Sequence, residues 1–395
     1  MTVDEVLDQS APFDPTQIEP SLQRLPARWC VALLCGEDGS PVQLVALKNL
    51  RATLRRRFAE LVEAEKTKRV DYRLLVRQIK WKRVDGTLEM DLAYQAAARA
   101  AFPDRWRSLV PQRSSWFVHI DPAEPFPDYR KVAAPPESGL TVGPFLTESR
   151  ADAFIDRVRD AFDLCRYQHI LRQTPNGKAC AYKEMGKCPA PCDGSVGFEA
   201  YRASVRSSIE ALSQNDHAVE ACITDMKRAA GELAFERAGK LKARADELKG
   251  LLDAGAGQRA GPVGAFRYIA IEPGPRKGTA KVWSIGPDWV AQVACLVDDG
   301  PIDLEQLTQV PACRHVQPAL SADHLALICH HLSQSKSRSR WMPLAKVNAK
   351  SFAKCAREVM ALEEEEPDVD ETVVRESAVM SVPRDETVAP LASQG

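Results

Sequence analysis

The sequence predicts a multidomain chain of α/β and α modules, and three observations lead there. Short apolar runs broken by turn residues fill the N-terminal third. Apolar residues at helical spacing dominate the middle. Proline-rich and glycine-rich stretches separate the parts. The chain has 395 residues, room for about two to four domains that each bury a core.

The elements follow in order. Cys30–Leu34 and Val42–Leu47, joined by a Gly-Glu-Asp-Gly-Ser spacer, read as a β-hairpin. Asn49 is placed to cap a helix from Leu50 to Val62, whose face is Leu50, Leu54, Phe58 and Leu61. A strand is expected at Ile79–Val84, a helix at Leu88–Ala101 and a strand at Ser115–Ile120. Together they outline an α/β module over 20–120. Six prolines between Asp121 and Pro144 mark an irregular connection. A cysteine-bearing module is expected over 143–200, beginning with a helix at Ser149–Phe162. A helical hairpin follows over 214–252, then a Gly-Ala-rich linker. A small α+β module is expected over 264–360, with strands at Phe266–Glu272, Lys281–Ile285 and Trp289–Val297. Residues 361–395 read as an acidic, disordered tail.

Lys and Arg number 53 against 54 Asp and Glu, a balance that conceals segregation. Pro41–Asp85 carries 13 basic and 5 acidic residues, His331–Arg357 carries 7 basic and none acidic, and Glu363–Gly395 carries 10 acidic and 2 basic. The basic segments suit either a phosphate backbone or an ordinary solvated helix surface. No run approaches the length of apolar sequence that spans a bilayer, and the acidic N-terminus lacks the apolar core of a signal peptide. A cytoplasmic location without a membrane partner is the expectation.

Of 11 cysteines, Cys165, Cys180, Cys188 and Cys192 fall in the pattern C-x14-C-x7-C-x3-C. Soft thiolates at such spacing suit zinc or an iron–sulfur cluster. Four separately buried thiols are the other reading, and His169 inside the segment is a fifth candidate ligand that reads better as a surface side chain. Cys30 and Cys295 lie in apolar runs, Cys222, Cys313, Cys329 and Cys355 have no partner at short spacing, and all six read as core or incidental.

The segment from Thr141 through Cys165 to the Lys-Cys-Pro-Ala-Pro-Cys-Asp-Gly run at 187–194 resembles the central part of the bacterial UvrC excinucleases, which make the incisions of nucleotide excision repair. That resemblance implies a [4Fe-4S] cluster on Cys165, Cys180, Cys188 and Cys192, with zinc as the alternative. Met226, Ala229, Ala230, Leu233, Phe235, Glu236, Ala238, Leu241, Arg244 and Leu248 are similar to the UVR motif, a helical hairpin shared by the UvrB and UvrC proteins. It implies pairing with UvrB or another UVR-motif partner through Met226, Phe235, Glu236 and Leu241.

Residues from Leu25 to about Val110 resemble the GIY-YIG nuclease domain that opens the UvrC proteins, and Lys48–Phe58 (KNLRATLRRRF) echoes the segment after its second strand. The chemistry departs from that pattern. The motif's tyrosine, glycine and lysine fall on Gln43, Val45 and Ala46, its arginine on Thr53, and its metal-binding glutamate on Glu89. Phosphodiester cleavage needs an activating base, a cation for the phosphorane and a held divalent metal. Gln43 and Thr53 supply neither of the first two, and Glu89 is a doubtful catalytic remnant, with magnesium if any activity remains.

The expectation is therefore an accessory or regulatory UvrC-like protein of nucleotide excision repair. It would bind DNA, with Lys48, Arg51, Arg55, Arg56 and Arg57 as contacts, and its own nuclease centre would be inactive. Two alternatives stand beside it: an active metal-dependent DNA endonuclease, and a metal- or redox-sensing interaction module.

Overall fold

A computed structural model describes residues 1–59, 71–111, 113–214, 216–255, 258–297, 321–334, 338–362 and 373–376. The chain is a multi-module α/β and α scaffold, and it gathers into two compact units. One holds Met1–Gln112, Glu272–Thr279 and Met360–Gly395, the other Arg113–Ile271 and Ala280–Val359.

The first unit is built on strands β1 (Gln9–Pro12), β2 (Cys30–Cys35), β3 (Pro41–Leu47) and β4 (Gln78–Arg83). The β2–β3 pair is antiparallel, with Val31 opposite Ala46 and Leu33 opposite Leu44. It is the expected hairpin, closed by a turn that places Gly39 at φ +79°, where a side chain would be strained. Both strands are buried along nearly their whole length, which explains why they read as continuous apolar runs. Asn49 Oδ1 accepts the Ala52 N–H at 3.0 Å and starts helix α1 (Leu50–Ala59). Leu50, Leu54 and Phe58 are buried and pack with Leu34, Leu47 and Phe13; Leu61 lies outside the described residues. Helix α2 (Thr87–Ala101) is buried on several faces, including Leu88, Tyr94, Ala97 and Ala98.

The fifth strand of this sheet comes from the tail. Val373–Glu376 forms a strand, called β12 below, antiparallel to β3 with Val373 opposite Leu47 and Glu376 opposite Val45. The sheet order is thus β1-β4-β2-β3-β12. This corrects the reading of 361–395 as disordered at these four residues; residues 363–372 and 377–395 lie outside the described ones. The reason is plain: β3 is otherwise an edge of unpaired backbone groups, and Val373 and Val374 are β-branched residues suited to pairing with it.

The second unit opens with β5 (Trp116–Ile120), β6 (Arg130–Val132) and β7 (Leu140–Phe145) in the order β6-β5-β7. Two of these strands lie in the stretch read as an irregular connection. Pro122, Pro125, Pro127, Pro135 and Pro136 fall outside the strands, and Pro144 sits on edge strand β7, where a missing N–H breaks no interior ladder. Helix α3 (Glu148–Ala161), capped by Thr147, lays Phe154, Ile155 and Val158 on this sheet. Three helices follow: α4 (Phe198–Gln214), α5 (Asp216–Gly231) and α6 (Phe235–Leu251). A four-stranded sheet ends the unit, formed by β8 (Tyr268–Pro273), β9 (Thr279–Ile285), β10 (Val290–Val297) and β11 (Arg340–Pro343) in the order β10-β9-β8-β11. Helices α7 (Ser321–Ser333) and α8 (Ala349–Met360) accompany it. No helix among the described residues is long and apolar enough to cross a membrane.

Candidate functional site

In the first unit Glu89 sits at the N-terminal turn of α2, 6% exposed. Its Oε2 accepts the Asp85 N–H at 2.9 Å. A second carboxylate, Glu272, is 1% exposed and accepts the N–H groups of Leu88 at 3.0 Å and Glu89 at 3.2 Å. Helix N-terminal amides carry partial positive charge, and the two carboxylates satisfy them. Gly86 makes this possible, since a Cβ there would lie 2.5 Å from the Glu272 carboxyl carbon. Glu89 therefore serves the helix end, and Glu272 lies too far along the chain for sequence reading to connect them.

The neighbouring positions are similarly occupied. Gln43 and Thr53 are each 1% exposed. Gln43 Oε1 accepts from Arg57 Nη1 at 3.2 Å, and Thr53 Oγ1 has no hydrogen-bond partner among the described residues. Arg51 Nε donates to the Leu25 carbonyl at 2.7 Å. Arg55 forms a two-point pair with Glu19, at 2.9 and 2.8 Å. Lys48 Nζ stands 5.6 Å from the Trp29 ring centre. Much of the basic character of α1 is thus engaged within its own unit.

The cysteine segment lies in the second unit. Cys165, Cys188 and Cys192 are buried, and Cys180 is half-buried just before the single turn Ala181–Glu184. The Cys165 N–H donates to the Tyr201 hydroxyl at 3.2 Å, and its Sγ lies 3.6 Å from the Tyr167 carbonyl. A thiol–thiol hydrogen bond with Cys165 pulls Cys188 down to about 6 against opposing burial, while the same bond and burial push Cys165 up. Burial likewise raises Cys192. Among the described residues, no group of three or more His, Cys, Asp or Glu side chains is placed to hold a metal ion. That finding overturns the [4Fe-4S] or zinc expectation at Cys165, Cys180, Cys188 and Cys192, and the magnesium expectation at Glu89. Spacing reports which thiols are close in sequence; it does not report whether their side chains converge on one centre.

Around these thiols sits a feature that the cysteine pattern hid. Tyr167, 40% exposed, has its ring centre 5.8 Å from His169 and 5.9 Å from Tyr182, at interplanar angles of 55° and 60°. Arg166 covers Tyr182 at 4.9 Å and is itself held by Asp156 at 2.7 Å and Asp160 at 2.6 Å. Its signal in the sequence is the run Arg-Tyr-Gln-His at 166–169.

Helices α5 and α6 pack against each other as a hairpin. Its base is rooted in the core through Ala218, Val219, Leu248 and Leu251. At the bend, Glu232 N–H bonds Arg228 O and Ala234 N–H bonds Ala229 O, which places Leu233 at φ +61°. Leu233 is 73% and Phe235 68% exposed. Glu236 is exposed, and Met226 and Leu241 are half-buried along the hairpin.

Residues 115–211, which hold the cysteine segment and the aromatic face, match the family model of the UvrC/Cho excinuclease middle domain. UvrABC system protein C of Nautilia profundicola is 29% identical over 34% of this chain and 21% of its own length. The same protein of Syntrophotalea carbinolica is 26% identical over 56% of this chain and 36% of its own length. That of Psychrobacter cryohalolentis is 22% identical over 88% of this chain and 61% of its own length. The chain thus spans less than two thirds of the curated relatives it matches. No solved structure matches it.

Proposed function

We propose that this chain is an accessory, UvrC-like protein of nucleotide excision repair, which docks a UVR-motif partner such as UvrB through the α5–α6 tip and works on DNA without cutting it. The observation that carries this reading is the bend at Leu233–Phe235. A left-handed backbone at a leucine is strained, and two large apolar side chains in water gain nothing from folding. A tip that keeps both is suited to an apolar partner surface. Met226, Glu236 and Leu241 continue that contact along the hairpin.

Cleavage is not expected from the first unit. Gln43 cannot become an anionic base, Thr53 cannot match a phosphorane's charge, and the Glu89 carboxylate is spent on an amide. Helix α1 and the residue before it, with Lys48, Arg51, Arg55, Arg56 and Arg57, offer the phosphate contacts.

Capture of UvrB by the purified chain tests the pairing. Phe235→Asp should abolish capture while the melting temperature holds, because Phe235 lies largely in solvent. Undiminished capture by that variant would end the docking reading. Incubating plasmid with the protein and Mn2+ or Mg2+ tests the second part. Nicking that disappears in Glu89→Ala would show an active endonuclease instead.

A further inference from the structure

We infer that the exposed aromatic face at Tyr167, backed by Tyr182 and His169, is a stacking platform for unpaired bases of single-stranded DNA. The inference rests on the reading above that the chain works on DNA, and it adds a site and a substrate form to it.

Four observations converge. Tyr167 presents its ring to solvent while the aromatic side chains around it are packed: Phe198 stacks on Tyr201 at 6.0 Å and meets Phe126 at 5.1 Å. The platform is braced from behind, since Tyr182 is pinned between Tyr167 and the Arg166 guanidinium, which Asp156 and Asp160 hold. Its rim stays apolar, because Met185, three residues beyond Tyr182 around the same turn, is 61% exposed. Charge completes it. Arg166–Lys187 holds five basic residues against one acidic. Lys183 is neutralised by Asp193 at 2.7 Å, and Lys187 stands 3.7 Å from Asp160. Arg172 and Lys178 are exposed and have no carboxylate partner among the described residues. Arg172 follows His169 by three residues, which sets both on one side of the Gln168–Leu171 turn.

The geometry selects the ligand. Rings 5.9 Å apart and tilted by 60° leave no slot for a base between them, so a base lies on the outer face of Tyr167. Bases in a duplex are already stacked on each other and cannot offer that face, whereas unpaired bases can. Two exposed cations in the same short segment as an aromatic face suit the alternation of base and phosphate along a single strand. An acidic peptide would use the cations and leave the flat ring unused.

Fluorescence anisotropy of the full chain with a labelled oligo-dT, and with a duplex of equal length, tests the site. The single strand should bind more tightly. Tyr167→Ala should weaken it about tenfold, in the range of one lost base stack, while Tyr167→Trp retains binding. Arg172→Ala with Lys178→Ala should flatten the slope of log affinity against log salt by about 1.4, two single-strand contacts at about 0.7 each. Both substitutions fall on exposed side chains, so circular dichroism should be unchanged. Oligo-dT binding by Tyr167→Ala equal to the parent overturns the platform, as does an equal loss on duplex. Should Tyr167→Ala instead lose capture of UvrB with DNA binding intact, the face is a protein contact and the inference falls. If the parent chain binds neither DNA at low salt, the DNA part of the functional reading falls with it. Duplex binding untouched by Tyr167→Ala, without single-strand preference, sinks the platform alone.

Discussion

His119 lies on β5, 1% exposed, with Nδ1 3.0 Å from the Thr141 hydroxyl. Burial first, and the charge of Arg130 second, hold its imidazole below the ordinary range, against smaller opposing effects of Asp121 and Glu124. The folded form therefore resists a proton that the unfolded chain accepts near pH 6.5. Its contribution to stability is complete above that value and falls as the pH drops through it. Thermal melts between pH 7.5 and 5 should show a fall in melting temperature that His119→Gln makes shallower; an unchanged slope would refute the linkage. Glu272 has a different role. Its carboxylate satisfies two buried amides at the start of α2. Glu272→Ala leaves both without an acceptor, which should destabilise the first unit by about 1–3 kcal/mol. The urea midpoint measures the loss, and amide exchange at Leu88 and Glu89 locates it. Slow exchange at both amides in the variant would contradict the assignment.

Among elements, those decided by local pattern were legible and those decided by remote pairing were not. The β2–β3 hairpin, the Asn49 cap and the stripe Leu50–Leu54–Phe58 all follow from neighbours within a few residues. The hairpin of α5 and α6 was readable for the same reason, although the bareness of its tip was not, because periodicity marks an apolar face without saying what covers it. The strand at Val373–Glu376 was hidden by an acidic context whose composition resembles disorder. At the candidate site, cysteine spacing marked the right region. Whether the four thiols converge is a matter of three-dimensional placement, and among the described residues no group of three or more His, Cys, Asp or Glu side chains is placed to hold a metal ion. The tail strand is itself testable. Removing residues 361–395 uncovers the outer edge of β3, whose Val45, Ala46 and Leu47 face β12. Loss of two or three backbone bonds at about 0.5–1.5 kcal/mol each should speed exchange along β3 by about fivefold or more. Exchange in β3 identical to that of the whole chain would show that β12 adds no protection.

At the scale of the whole molecule, modules that follow one another in sequence do not coincide with compact units. The first unit takes its first 112 residues from one stretch and completes itself with Glu272–Thr279 and Met360–Gly395. Arg28 Nη1 reaches the Pro275 carbonyl at 3.4 Å, and Glu272 closes α2. Both contacts cross more than 180 residues of sequence, so a linear reading could list the modules without seeing which needed which. Their interdependence has a measurable consequence. A fragment of residues 1–112 keeps β1 to β4, α1 and α2 and loses the Glu272 carboxylate, the Pro275 carbonyl and the strand on β3. It should melt several degrees below the same unit in the full chain, the shift expected for a few kcal/mol in about 100 residues. The first turn of α2 and the β3 edge should exchange fastest. Adding back a peptide of residues 268–285 at high concentration should restore part of the α2 protection, because binding only the folded form stabilises it by mass action. Were the fragment to melt at the temperature of the intact unit, with α2 equally protected, the remote segments would be passengers and the first unit would end at residue 112.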